Sequence, residues 1–183
     1  MHIPNLQDRR TRLADALEPN EMVIIFGAPE PAYPRRFFQE HNLLYFTGVE
    51  APDAVFVAYK AAATLHTALY LERQDPAMVV WEGAKLSPEE AREISGIQRV
   101  AYLDELRQQI SGWMRMAETC YVNNAESNLE KALNKEQQFI QRARNHFPAV
   151  QFKNLRAVMA QLRACKDAWE IEQLQTAIDA TGK

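Results

Sequence analysis

The chain has 183 residues, of which 47% are hydrophobic and 25% charged, the composition of an ordinary soluble globular protein. That length suits one large domain or a domain with an extension, and it buries a normal core without staples. A net charge of −3 argues against a general attraction to nucleic acid or to an anionic membrane.

No apolar run approaches the ~20 residues that span a bilayer. Met1-His2-Ile3-Pro4-Asn5 lacks the basic and apolar regions of a secretory signal. A cytoplasmic location is therefore expected, with Cys120 and Cys165 as buried free thiols rather than a disulfide.

In chain order, residues 5–18 read as a helix with Asn5 as its cap and Leu6, Leu13 and Leu17 on one apolar stripe. This places Arg9, Arg10 and Arg12 on the wet face. Met22-Val23-Ile24-Ile25-Phe26 is an unbroken apolar run ending at Gly27, the pattern of a strand covered on both faces. Residues 28–34 hold three prolines and form a loop.

Short strands are expected at Leu44-Tyr45-Phe46-Thr47-Gly48, at 54–59 and at 66–71. Ser87-Pro88-Glu89-Glu90 is a strong helix start, with a serine cap, proline in the first turn and a glutamate returning to the cap. That helix should stop at Gly96. A strand at 99–103, a helix turning Leu106, Ile110 and Trp113 inward, and a strand at 119–122 follow.

Ser127 to Glu130 reads as a capping box opening a long helix, with Leu129, Leu133, Ile140, Ala143 and Phe147 inward and Pro148 at its end. A last strand is expected at 150–152. Leu155, Val158, Met159 and Leu162 then share one helical face. Asp167 and Glu170 cap a further helix carrying Ile171, Leu174 and Ile178. The order predicts an α/β fold, a mixed β-sheet with helices on both faces.

Catalytic signatures are scarce. His2, His41, His66 and His146 form no metal-binding spacing. The cysteines are not in a CxxC pair, and no nucleophile elbow or glycine-rich phosphate loop is present. Between Lys131 and Lys166 stand eight basic residues (Lys131, Lys135, Arg142, Arg144, Lys153, Arg156, Arg163, Lys166) against one acid, Glu136. Helices are expected to expose these side chains on separate faces, the alternative being one surface for an acidic partner or nucleic acid.

Three blocks carry a resemblance. Phe38-Gln39-Glu40-His41-Asn42-Leu43-Leu44-Tyr45-Phe46-Thr47-Gly48, followed by Ala51-Pro52-Asp53-Ala54-Val55, resembles a stretch of aminopeptidase P N-terminal domains. Arg73 and Asp75, then Trp81-Glu82-Gly83, are similar to that family's next signature, with Gln74 inserted. Leu162-Arg163-Ala164-Cys165-Lys166-Asp167-Ala168-Trp169-Glu170-Ile171 resembles its junction segment.

The resemblance implies a creatinase/prolidase N-terminal domain (a ribonuclease H-like motif) over 1–165. Residues 166–183 would then be the first helix leading into a C-terminal pita-bread catalytic domain. It implies a parent Xaa-Pro aminopeptidase, a metallopeptidase whose two divalent metal ions, usually manganese, lie in that second domain. No catalytic or metal residue is carried over to this chain.

Its implied partners are its own catalytic domain, a homo-oligomer (dimer or tetramer) and the peptide substrate, with no nucleic acid and no membrane. The resemblance also implies that Trp81 reaches a neighbouring subunit's cleft, the alternative being a tryptophan buried in this chain's own core. Prolidase, creatinase, or a non-catalytic binding protein reusing the fold are the alternatives.

Overall fold

The computed structural model describes residues 3–32, 34–123 and 130–182, and leaves the side chains of Trp81 and Glu82 outside that set. The chain runs α1 (Leu6–Ala16), β1 (Glu21–Phe26), α2 (His41–Thr47), β2 (Val55–Ala61) and β3 (Thr64–Leu71). A 3-10 turn at Pro76–Met78 leads to α3 (Val79–Glu82) and α4 (Pro88–Ser95). Then come β4 (Arg99–Tyr102), α5 (Leu103–Met114), β5 (Thr119–Val122), α6 (Lys135–His146), β6 (Gln151–Asn154), α7 (Arg156–Leu162) and α8 (Ala168–Thr181).

The strands form one sheet in the order β4-β3-β2-β1-β5-β6. Only β2 is antiparallel to its neighbours, through Ile24↔Val57 on one side and Val57↔Ala68 on the other. The remaining pairs are parallel. Successive side chains alternate between faces. Val23 and Ile25 of β1 with Phe56 and Ala58 of β2 therefore join one core, with Leu13, Leu17, Leu43, Phe46 and Leu155. Met22, Ile24, Val55, Val57 and Tyr59 join the other, under Ile110, Trp113, Phe139 and Ala143. Two dry faces are why these strands show no polar alternation, and the mixed α/β sandwich follows from them.

The segment 44–48 is not a strand. It lies in α2, a seven-residue helix that sequence alone disguises behind Tyr45 and Phe46. Glu40 caps it by accepting from the Asn42 and Leu43 backbone N–H groups, each at 2.8 Å. Gly48 closes it at φ 66°, a conformation that suits glycine. Packing then settles the choice, with Phe46 stacked on Phe56 at 5.5 Å and seven residues too few to display a helical period.

The same helix corrects the placement of Arg9 and Arg10, which are 3% and 4% exposed rather than on a wet face. A helix leaves its last carbonyls without intrahelical donors. Gly48 N–H satisfies Leu44 O, Arg9 Nη1 donates to Tyr45 O at 3.2 Å, and Arg10 Nη1 donates to Phe46 O at 2.7 Å. Positive charge at that end also complements the helix dipole. Arg12 does the same for α7 by donating to Leu162 O. Asn5 sits at the start of α1 in a left-handed conformation without a side-chain cap bond, contrary to the expected cap.

The expected capping box at Ser127 and the inward Leu129 lie outside the described residues. The α6 helix begins at Lys135, where Asn134 and Gln137 form the capping box instead. Both cysteines are free, but only Cys120 is buried, its thiol pKa pushed up by desolvation; Cys165 is exposed.

One staple sets the top of the sheet. Gln39 is 4% exposed, and its Oε1 accepts from Ala28 N–H (3.0 Å) and Glu40 N–H (2.8 Å). Its Nε2 donates to Val49 O (3.2 Å) and Ala51 O (2.7 Å). Gly27 permits this approach, because a Cβ there would stand 2.8 Å from Ala54 O and 2.9 Å from Gln39 Oε1.

Candidate functional site

The α8 helix is tied to the body of the protein through its first turn. Asp167 and Glu170 form a reciprocal capping box, as their spacing predicts. Arg9 Nη2 donates to Asp167 Oδ2 at 2.9 Å and lies 3.7 Å from Glu170 Oε1. Its guanidinium also lies 4.4 Å from the centre of the Tyr45 ring and 5.9 Å from that of Trp169. One buried cation thus joins the C-terminal end of α2 to the N-terminal end of α8.

Beyond that turn the apolar face of α8 is more than half exposed among the described residues. Ile171, Leu174 and Ile178 are 57%, 55% and 60% exposed, on one face at intervals of three and four residues. A cleft of about 380 Å³ opens where α8 leaves α2, floored by Ile3, Leu44, Tyr45 and Trp169 and edged by Arg163 and Lys166.

The charge on Asp167 gives the anchor a pH dependence. Burial alone would raise its pKa, but the Glu170 N–H, the Arg9 guanidinium and the Asn5 side chain outweigh this and hold it below the ordinary value. A depressed pKa stabilises the fold above the unfolded value of about 3.9, and that contribution disappears as pH falls through the lower folded value. The urea midpoint should therefore fall on acidification below about pH 4, and Asp167→Asn should flatten that part of the profile. An unchanged profile in the variant would show that Asp167 carries no such role.

The second feature is the segment between β3 and α4. Arg73 is held by Asp104 at 3.0 Å and lies 3.9 Å from the centre of the Tyr102 ring. Lys85 pairs with Glu72 at 2.7 Å, and its N–H donates to Gln74 Oε1 at 3.0 Å. Asp75 caps the turn through the Ala77 N–H. Between these ties the end of the 3-10 turn presents Met78 and α3 presents Val79 and Val80, at 39%, 38% and 86% exposure. Trp81 lies on this short helix; its side chain is outside the described set.

His66 is exposed on β3 and His146 is exposed at the end of α6. Among the described residues no group of three or more His, Cys, Asp or Glu side chains is placed to hold a metal ion. No described helix is long and apolar enough to cross a membrane.

A family model of the aminopeptidase P N-terminal domain matches residues 6–123. The chain belongs to this family. It is 33% identical over 111 residues to an Escherichia coli Xaa-Pro aminopeptidase, covering 57% of this chain and 25% of that protein. A solved structure from Bacillus anthracis, titled a candidate aminopeptidase P, superposes with TM-score 0.85 at 28% identity, over 94% of this chain and 42% of that one. Zinc-substituted E. coli aminopeptidase P in complex with product superposes with TM-score 0.75 at 25% identity, over 92% and 40%. The chain thus spans a quarter of the curated relative and about two fifths of each solved chain.

Within this aminopeptidase P N-terminal domain, the first and last of the three sequence blocks hold the fold together. Gln39 of the first block is the backbone staple, and Asp167 and Glu170 of the last are the α8 cap. Sequence reasoning missed Arg9. Its signal was available only indirectly, as a cation on the same helical face as Leu6 and Leu13.

Proposed function

We propose that this chain is the non-catalytic N-terminal part of a metal-dependent Xaa-Pro aminopeptidase, which removes an N-terminal residue preceding proline. In this reading residues 1–165 form the creatinase/prolidase-type unit and residues 166–183 open the catalytic domain. The two divalent ions, manganese here, are held by that domain and none by this chain.

The observation that carries the reading is α8. Its first turn is fixed by a buried arginine while its apolar face stays open, the arrangement of a helix whose other side belongs to a further domain. The chemistry is that of the related Xaa-Pro aminopeptidases. The chain's own contribution is oligomer contact, as dimer or tetramer, and limitation of access to the cleft. The exposed Met78, Val79 and Val80 beside Trp81 support this. Trp81 would wall the peptide site of a neighbouring subunit. Unpaired Cys120 and Cys165 suit a reducing cytoplasm.

A fluorogenic Xaa-Pro peptide tests the reading. The 183-residue chain alone should not cleave it, whereas the chain joined to a metal-loaded aminopeptidase P catalytic half should. In the joined protein Trp81→Ala should raise KM about fivefold with kcat little changed. Cleavage by the chain alone would overturn the non-catalytic assignment, and an unchanged KM would remove Trp81 from the site. Leu174→Asp should leave the melting temperature of the chain alone within a degree or two, because the residue is exposed, but lower that of the joined protein by several degrees.

A further inference from the structure

We propose that the trough between α5 and α6 docks an acidic segment of a partner protein through one bulky apolar side chain. The trough measures about 320 Å³. Phe26, at the end of the central strand β1, forms its floor with Leu106, Ile110 and Phe139. Arg107, Lys135 and Arg142 form its rim. No carboxylate is among the described lining residues, although the chain as a whole is acidic.

The convergence is built by helical spacing. Lys135, Gln138, Phe139 and Arg142 stand at i, i+3, i+4 and i+7 of α6 and share one face. Leu106 and Ile110 share a face of α5, with Arg107 beside them. Two separate helices therefore bring cations to the edge of one apolar opening. Lys135 is engaged by Asp53, whereas Arg107 and Arg142 make no ion pair among the described residues. The concentration of basic residues between 131 and 166 is thus divided in space. Arg144 and Lys153 line a different groove, and Arg163 and Lys166 line the cleft below α8.

Charge and shape select the occupant. A groove between two helices is a common seat for a peptide that inserts apolar anchors, and this volume takes one large side chain or two small ones. Carboxylates flanking the anchor would reach Arg107 and Arg142, giving bidentate pairs at the rim. Nucleic acid fits less well. The Phe26 and Phe139 rings lie 57° apart in plane and are only partly exposed, so they provide no stacking platform. The cations ring one opening instead of tracking a phosphate backbone.

Fluorescence anisotropy on the 183-residue chain tests this with a labelled peptide rich in glutamate around a central leucine. Binding should be saturable at about 50 mM salt and at least tenfold weaker at about 300 mM. Replacing that leucine by serine, or reversing charge with Arg107→Glu and Arg142→Glu together, should each weaken it at least tenfold. Both arginines are exposed, so thermal melts should confirm an intact fold in the double variant. The proposal is overturned by absence of saturable binding, by equal binding of the serine peptide, or by no loss in the double variant. Tighter binding of a single-stranded oligonucleotide of equal charge also overturns it. So does self-association of the chain that the same charge reversal abolishes, which would assign the trough to a second copy.

Discussion

Replacing Gln39 by leucine is expected to destabilise the protein by roughly 3–5 kcal/mol, the cost of orphaning several buried backbone groups at once. The amide of Gln39 closes four backbone partners, and leucine matches its size but none of its bonds. For a chain of this length the melting temperature should fall by roughly 10 °C. Gln39→Glu should not restore stability. A carboxylate can accept from Ala28 and Glu40, but its second oxygen would face the carbonyls of Val49 and Ala51. Chemical denaturation of the two variants decides the matter, and a loss below about 1 kcal/mol in both would show that the staple is dispensable.

Arg9→Met is expected to cost about 3 kcal/mol, near the lower end for breaking a buried ion pair, because Asp167 keeps partial access to water. The loss should be distributed unevenly. Tyr45 O and Asp167 lose their donor, and a helix of 14 residues with three exposed apolar positions has little stability of its own. Amide exchange should therefore accelerate across Ala168–Thr181 well before it does in β1 and β2. Arg9→Lys should recover less than half, since an ammonium cannot reach Tyr45 O and Asp167 together while lying against the Tyr45 ring. Uniform acceleration over the whole chain would mean that Arg9 supports the core and does not anchor α8 in particular.

These two residues show where sequence reasoning holds and where it stops. Gln39 lay inside a block whose resemblance pointed to the family, yet nothing in its neighbours announced four backbone partners drawn from residues 28, 40, 49 and 51. Arg9 belonged to a recognisable helix, but the carbonyls it satisfies belong to α2, which the apolar run at 44–48 disguised as a strand.

What the sequence by itself determined is the alternation of elements and the local starts and stops. The doubly covered strands at 22–26 and 54–59 were legible because both faces of each are apolar. The capping boxes at Ser87 and Asp167 were legible because each is a contact between residues three apart. The resemblance to the aminopeptidase P N-terminal domain was legible for a related reason: its blocks are contiguous. Tertiary structure alone decided that 41–47 coils, that Arg9 and Arg10 turn inward, and that Arg107 meets Arg142 across one trough. Each of those outcomes depends on groups that are distant along the chain. Unsatisfied carbonyls at a helix end and open space between two helices come into being only when the elements pack, so a reading along the chain contains the donors but not the acceptors they find.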